Sequence, residues 1–188
     1  MKIGSWLLFG AAVLLTFSGV MDDTMAQDAT PAESPLESLA FLVGQWEGDG
    51  WSRMGPGPKE AVHVVESVER KLGGAILLIE GKGTAVDHET GEENVVHEAL
   101  AILGHDAAKG YHMRAFRTGS GHIDPDVSVE EGTMVWGFDI PGGAGQIRYT
   151  ITLNDKAQWF EVGEFSRDKG ETWVQFFEMT LDRKDSAK

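Results

Sequence analysis

The sequence contains no cysteine, and this absence excludes two common devices of exported proteins. A disulfide needs two cysteines and a lipoprotein needs one to carry its lipid, so neither is available to this chain. Stability must therefore come from the burial of apolar side chains, which make up 41% of the 188 residues. A chain of this length can bury such a core within one domain.

Positive charge is also scarce, because 16 lysine and arginine residues stand against 30 aspartate and glutamate residues. The formal net charge of −14 repels nucleic-acid phosphates and anionic lipid headgroups. Nucleic acid is therefore not an expected partner. We interpret the acidity as an aid to solubility, and the sequence carries no indication of the oligomeric state.

The only long apolar run lies at the N-terminus, where Trp6 to Val20 follow the positive charge of Lys2. Small residues come next, an order that is typical of a cleaved secretory signal peptide. The run is shorter than the ~20 residues that span a bilayer, which disfavours an uncleaved membrane anchor. We therefore expect cleavage after Ala26 and a periplasmic or secreted protein without a membrane span. The predicted organisation is a signal peptide (1–26), a flexible leader (27–35), one domain (36–183) and a tail (184–188).

Long helical patterns are missing from the remainder of the chain. Four apolar residues between Leu36 and Val43 predict one short helix that ends at Gly44. After it, short runs of β-branched and aromatic residues alternate with turn residues about every 8–12 positions, which predicts consecutive strands. The predicted strands are Gln45–Arg53, Glu60–Leu72, Ala75–Val86, Asn94–His105, Gly110–Thr118, Asp126–Glu130, Met134–Ile140, Gln146–Asn154, Gln158–Ser166 and Thr172–Arg183. We expect an all-β fold, a single antiparallel up-and-down β-barrel of about ten strands, with an open two-sheet sandwich as the alternative.

The segment Gly44-Gln45-Trp46 opens the first predicted strand directly after the helix. It resembles the Gly-x-Trp of the lipocalin-like (calycin) superfamily, in which the tryptophan plugs the closed end of the barrel. In that superfamily an arginine late in the last strand stacks across the tryptophan. The resemblance implies structural roles for Gly44, Trp46 and Arg183, and it implies that any ligand lies away from this end.

Three further segments resemble the bacterial DUF1579 family over about residues 36–183. They are Phe41 to Trp51, Val96 to Ala101, and Gly163 to Asp168. The family looks distantly related to nitrobindin-like and fatty-acid-binding-like barrels. The resemblance implies a barrel with a cavity and brings no established activity.

The nitrobindin-like relation raises the question of haem, which those barrels hold through a histidine on a closing strand. The last of the six histidines is His122, so the closing strands lack that ligand. His97 stands where such barrels have another pocket histidine, which alone does not support haem. No His-x-His or His-x₃-His pair of the type that binds metals is present either. We therefore expect no cofactor.

The segment Ser166 to Trp173 matches Ser-x-Asp-x-Gly-x-Thr-Trp, a turn motif of sialidase-like propellers. One copy in a chain too short for a propeller favours a plain hairpin turn over a glycosidase. The turn predicts a register in which Phe165 opposes Val174, Glu164 opposes Gln175 and Phe160 opposes Met179. The inward face would then hold Phe160, Val162, Glu164, Gln175 and Phe177.

In that register Glu164 is a carboxylate inside the barrel, and such a group needs a partner because an isolated buried charge is costly. Arg114 or Arg148 is the candidate partner. The predicted ligand-binding residues are Arg114, Trp136, Tyr149, Glu164 and Phe177, a mostly apolar pocket with few polar anchors. They suit a small apolar or amphipathic molecule.

No catalytic motif supports an enzyme: the sequence has no Gly-x-Ser-x-Gly elbow, no P-loop and no dinucleotide fingerprint. A binding protein is therefore the first hypothesis. An acid–base enzyme that uses Glu164, Arg114 and Tyr149 is the second. The third is a filled barrel with a structural or interaction role, which predicts an exposed apolar patch instead of a cavity.

Overall fold

The computed structural model describes residues 34–184. The predicted signal peptide, most of the leader and residues 185–188 of the tail lie outside this range. A 3₁₀ helix, Pro35–Leu42, precedes the strands, and a second short 3₁₀ segment, Leu72–Gly74, follows β2. The strands are β1 (Gly44–Ser52), β2 (Glu60–Lys71), β3 (Ile76–Val86), β4 (Glu93–Asp106), β5 (Gly110–Arg117), β6 (Gly121–Ile123), β7 (Asp126–Glu130), β8 (Thr133–Ile140), β9 (Gly145–Leu153), β10 (Trp159–Ser166) and β11 (Val174–Lys184).

All eleven strands form one antiparallel sheet in the order β6-β5-β4-β3-β2-β1-β11-β10-β9-β8-β7. The sheet curls so that β5 contacts β7, but no backbone ladder joins the two terminal strands, β6 and β7, within the described chain. The predicted all-β class and the antiparallel order of consecutive strands are therefore confirmed. The sandwich alternative is wrong, because the sheet is continuous.

Two details of the predicted barrel need correction. The sheet has eleven strands because the short β6, Gly121–Ile123, was missed; three residues are too few to display an alternating pattern. The curl also leaves a seam between β6 and β7, where the prediction had a closed barrel. Asp124 and Pro125 alone connect these strands, and Pro125 has no N–H to donate to a ladder.

The predicted helix exists, but as a 3₁₀ helix that ends at Leu42. Leu36, Leu39 and Leu42 are all fully buried, and their spacing of three matches the three residues per turn of this helix type. The Ser34 side chain caps its start by accepting a hydrogen bond from the Leu36 amide. The helix therefore lays one apolar edge on the core.

Trp46 lies fully buried at the same end of the sheet. Its indole nitrogen donates a hydrogen bond to the Leu42 carbonyl over 2.8 Å, and the Trp159 ring meets it edge-on at 5.7 Å between centroids. This end of the curled sheet is therefore filled with side chains and closed to ligands.

The Arg183 guanidinium stacks over the Trp46 ring, 4.0 Å from its centroid. It also donates hydrogen bonds to the carbonyls of Phe41 and Val43, so it ties the last strand to the segment that leads into the first. Gly44 has a φ of 141°, and a Cβ atom there would come within 2.6 Å of Arg183 Nη1. Only glycine leaves room for this arrangement.

Replacing Arg183 by methionine should lower the free energy of unfolding by about 1–2 kcal/mol, because the stacking on Trp46 and two hydrogen bonds are lost together. Urea denaturation of both forms measures the change. Lys184→Met is the matched control, since Lys184 forms only an ion pair with Glu47 on the outer surface, and such pairs contribute little. Equal effects of the two substitutions would show that the stacking on Trp46 contributes nothing.

Candidate functional site

The inner face of the sheet changes character from the closed end to the opposite end, which we call the mouth. Leu77, Leu103 and Leu181 are fully buried near the closed end. Halfway up, the inward-facing Ile79 is partly exposed. Arg117 faces inward at the mouth and is exposed. The fold is therefore a cup with a packed base and an accessible upper interior.

Two glutamates face into the middle of this cup. Glu161 on β10 is only 6% exposed, and its Oε2 accepts a hydrogen bond from Trp159 Nε1 over 3.1 Å. Glu66 on β2 lies against β3, where a Cβ atom on Gly81 would be 2.5 Å from Glu66 Oε1. Glycine at position 81 therefore leaves the space that the Glu66 carboxyl group occupies.

Burial raises the pKa of Glu161 to about 7. Burial, together with the nearby charge of Glu161, raises the pKa of Glu66 well above its usual value. Two carboxyl groups that share a desolvated space cannot both ionise easily. Desolvation and the mutual repulsion of the two charges therefore both favour retention of a proton by the pair.

Aromatic rings form one wall of the cup above these acids. Tyr149 on β9 stacks on Trp136 of β8, with ring centroids 4.2 Å apart and planes 13° from parallel. Phe176 and Phe177 on β11 meet Tyr149 edge-on at 5.7 and 6.1 Å. Gly163 lies beneath, and a Cβ atom there would be 2.8 Å from the tyrosine ring. Burial, and secondarily the charge of Glu161, raise the pKa of Tyr149.

An arginine and a histidine stand nearer the mouth. His97 on β4 and Arg117 on β5 both face inward. Arg117 lies opposite the inward-facing Ala99, and His97 lies two residues before Ala99 on the same strand. Desolvation, and secondarily the charge of Arg117, lower the pKa of His97. The same arginine charge acts on Tyr149. The cup therefore carries acids at mid-depth, aromatic rings along one wall and basic groups at the rim.

The predicted position of Glu164 inside the barrel is wrong. Its Oε2 accepts a hydrogen bond from Arg148 Nη2 over 2.6 Å, so one of the two predicted partners is present, but the pair lies on the outer face. The Arg148 guanidinium also stacks over Trp173 at 4.0 Å. Arg148 and Trp173 border an outer groove of about 300 Å³ around Gly137.

A β-bulge explains the misplacement. The predicted pairs Phe165–Val174 and Glu164–Gln175 occur, but the register then shifts between Gly163 and Glu164. As a result Phe160 pairs with Thr180 and not with Met179, and Glu161 takes the place opposite Met179. The predicted inward positions of Phe160, Val162, Glu164 and Gln175 are therefore outward, whereas Phe177 faces inward as expected.

Arg114 was also predicted to line the interior and does not. It follows the buried Met113 on β5, so its side chain points outward and is 53% exposed. Both guanidinium contacts go to Asp124, at 2.6 Å each. Among the predicted ligand-binding residues, the structure brings Trp136, Tyr149 and Phe177 together, and it leaves Arg114 and Glu164 outside.

Glu66, Glu161 and Arg117 were missed as candidate residues, although the sequence holds a signal for the first two. Glu66 interrupts the inward series Val62, Val64 and Val68, and Glu161 follows Trp159 at the same alternation. A lone acid on an otherwise apolar face of a strand is costly unless it serves a purpose.

The segment Ser166 to Trp173 forms a hairpin turn between β10 and β11, as predicted. Asp168 accepts hydrogen bonds from the Thr172 amide and hydroxyl, which lowers the pKa of Asp168 to about 2. Gly170 has a φ of 89°, and its carbonyl accepts a hydrogen bond from the Trp173 indole at 3.1 Å. These contacts account for the motif as a turn.

Comparison with known proteins identifies the fold. No protein-family model and no curated protein matches the chain. The crystal structure of Rv2717c from M. tuberculosis aligns with a TM-score of 0.56 and 14% identity, covering 80% of this chain and 98% of that one. The S-type phycobiliprotein lyase CPES from Guillardia theta aligns with a TM-score of 0.55 and 12% identity, covering 83% and 96%. The chain shares the lipocalin-like fold of these proteins.

Two kinds of feature are absent from residues 34–184. No helix in this range combines the length and the apolar character needed to cross a bilayer. In the same range, no three histidine, aspartate or glutamate side chains are grouped as a metal ion would require.

Proposed function

We propose that the protein binds a small amphipathic molecule inside the cup. The observation that carries this proposal is a set of inward-facing polar groups without protein partners: within the described residues, the Glu66 carboxyl, Glu161 Oε1 and the Tyr149 hydroxyl make no hydrogen bond to protein. Within the described residues no buried side-chain polar atom lacks a hydrogen-bond partner, so these free atoms are open to the interior space of the cup. Here they stand beside the rings of Trp136 and Phe177, in the mixture of apolar walls and few polar anchors that is typical of ligand pockets.

Small residues at mid-depth favour a hollow interior over a filled one. Gly81, Ala99 and Ala101 occupy neighbouring inward positions on β3 and β4, at the level where a filled barrel would carry large apolar side chains. Their exposure is partial, in contrast to the fully buried Leu103 below. This favours the binding hypothesis over the structural one.

An acid–base enzyme remains the second candidate, with a changed set of residues. Glu161, whose pKa is raised to about 7, replaces Glu164 as the group suited to proton transfer near neutral pH. Tyr149 stands in the same cavity. This candidate requires that the protein converts a bound molecule. The Glu161→Gln variant should still bind that molecule and should no longer convert it.

Two further parts of the proposal rest on sequence. Membership of the DUF1579 family is proposed on the segment Phe41 to Trp51 and its two companions. Export to the periplasm or beyond is proposed on the apolar run Trp6 to Val20. One protein of similar fold is a phycobiliprotein lyase, which is consistent with a small-molecule ligand for this chain.

Filling the cup should abolish binding without unfolding the protein. Ala99→Trp places a large ring beside Gly81 at mid-depth, so the fluorescence gain of the neutral probe N-phenyl-1-naphthylamine should be lost. Ile102→Trp, on the outer face of the same strand, is the matched control and should bind like the unmodified protein. Circular dichroism shows whether both variants fold.

Native mass spectrometry of the protein purified from its own host complements this test. We expect a reproducible small-molecule adduct that is absent from Ala99→Trp. Probe binding that is equal in both folded variants, with no adduct in any preparation, would overturn the proposed function.

A further inference from the structure

Resting on this proposed function, we infer that the ligand is an organic cation: a protonated amine at one end lies between Glu66 and Glu161, and a flat apolar part extends along Tyr149 and Trp136. Three independent features of the cup lead to this chemistry. They are the charge balance of its interior, the hydrogen-bonding capacity of its free polar atoms, and the nature of its wall.

The charge balance inside the cup is negative at mid-depth. The ion pairs of the described residues lie outside the mid-depth region, and those of Glu164 with Arg148 and of Glu47 with Lys184 are on the outer surface. Neither Glu66 nor Glu161 belongs to an ion pair there. A cationic ligand would supply the missing counter-charge at the point where a buried carboxylate is otherwise unfavourable.

The free carboxyl oxygens of the two acids accept hydrogen bonds and cannot donate them once the acids ionise. Glu161 has one oxygen engaged by Trp159 and one free, and both oxygens of Glu66 are free of protein donors within the described range. An ammonium group has three donors and no acceptor, so it fits these atoms. A carboxylate ligand would be repelled, and an alcohol brings only one donor.

The wall beside the acids suits the remainder of such a ligand. Tyr149 and Trp136 form a stacked pair with nearly parallel rings, and Phe177 meets the tyrosine edge-on. Ring faces attract cations and stack with flat apolar groups. The basic groups, Arg117 and His97, stand at the rim and leave the mid-depth region to the acids.

Three probes with one carbon skeleton test the inference: 2-naphthylmethylamine, 2-naphthylmethanol and 2-naphthoate. Each probe is titrated against N-phenyl-1-naphthylamine bound to the full protein at pH 8. The measured quantity is the inhibition constant for displacement. We expect the amine to bind about tenfold or more tighter than the alcohol, as a charge-assisted hydrogen bond requires, and the carboxylate to bind weakest.

The variants Glu66→Gln and Glu161→Gln should each remove most of the preference for the amine while the alcohol still binds. Glu164→Gln is the matched control, because it removes the same charge from the outer face of β10, and it should keep the preference. Equal binding of the three probes, or a preference that survives both inner substitutions, overturns the inference but leaves the proposed function standing. Failure of every naphthyl probe and of N-phenyl-1-naphthylamine overturns the proposed function itself.

Discussion

Replacing Trp46 by alanine should lower the free energy of unfolding by about 3–5 kcal/mol, the usual cost of truncating a buried tryptophan. The ring is fully buried, contacts Trp159 and holds the hydrogen bond to Leu42. The substitution would also leave the Arg183 guanidinium without the ring over which it stacks. Chemical denaturation followed by far-ultraviolet circular dichroism measures the loss.

Trp51→Ala provides the comparison within the same strand. Trp51 lies on the outer face of β1, is partly exposed, and has Lys59 over its ring. Because the ring is partly exposed and meets the polar side chains of Lys59 and Glu178, its removal should cost about 1 kcal/mol or less. If Trp46→Ala unfolded at the same denaturant concentration as Trp51→Ala, the plug interpretation of Trp46 would be refuted.

Ionisation of Glu161 should lower the free energy of unfolding as pH rises from about 4.5 to about 7. Its pKa is raised from 4.5 to about 7 by burial, so in this window the folded state binds more protons than the unfolded state. Stability therefore falls with increasing pH, by about 3 kcal/mol at ~1.4 kcal/mol per unit. Below pH 4.5 the acid is protonated in both states and its contribution is complete.

The pH effect is isolated by subtracting the stability curve of Glu161→Gln, which keeps a neutral side chain at every pH. The neighbouring Glu66 has the same sign, because its pKa is raised, whereas the lowered pKa of His97 gives stability that increases with pH. Both remain in the variant, so the difference curve reports mainly Glu161. A difference that stays flat between pH 4.5 and 8 would contradict the assigned burial of this carboxyl group.

Much of the fold could be predicted because its signals are local. Alternation of apolar and polar residues predicted ten of the strands, and the turn from Ser166 to Trp173 fixed two pairs of the final hairpin. The bulge beyond Gly163 could not be predicted, because it consists of one extra residue in β11, Phe176, and the alternation along a single strand does not reveal such an insertion. The three-residue β6 has too few side chains to show a period.

The candidate site was predicted less well than the fold, for the same reason. Trp136, Tyr149 and Phe177 were found because large aromatic residues on alternating positions indicate an inner wall. Glu164 was chosen over Glu161 because the choice depends on a register that one bulge reverses. A charged side chain reveals its face only when the neighbouring strands are known.

The seam between β6 and β7 gives the cup a mechanical property. Elsewhere the strands are joined by continuous ladders, which resist stretching, so any change in girth must concentrate where no ladder exists in the described chain. Arg114 of β5 is bonded to Asp124, so the start of the connection between these strands is held to β5. A widening of the cup at this place would break no strand pair of the described chain.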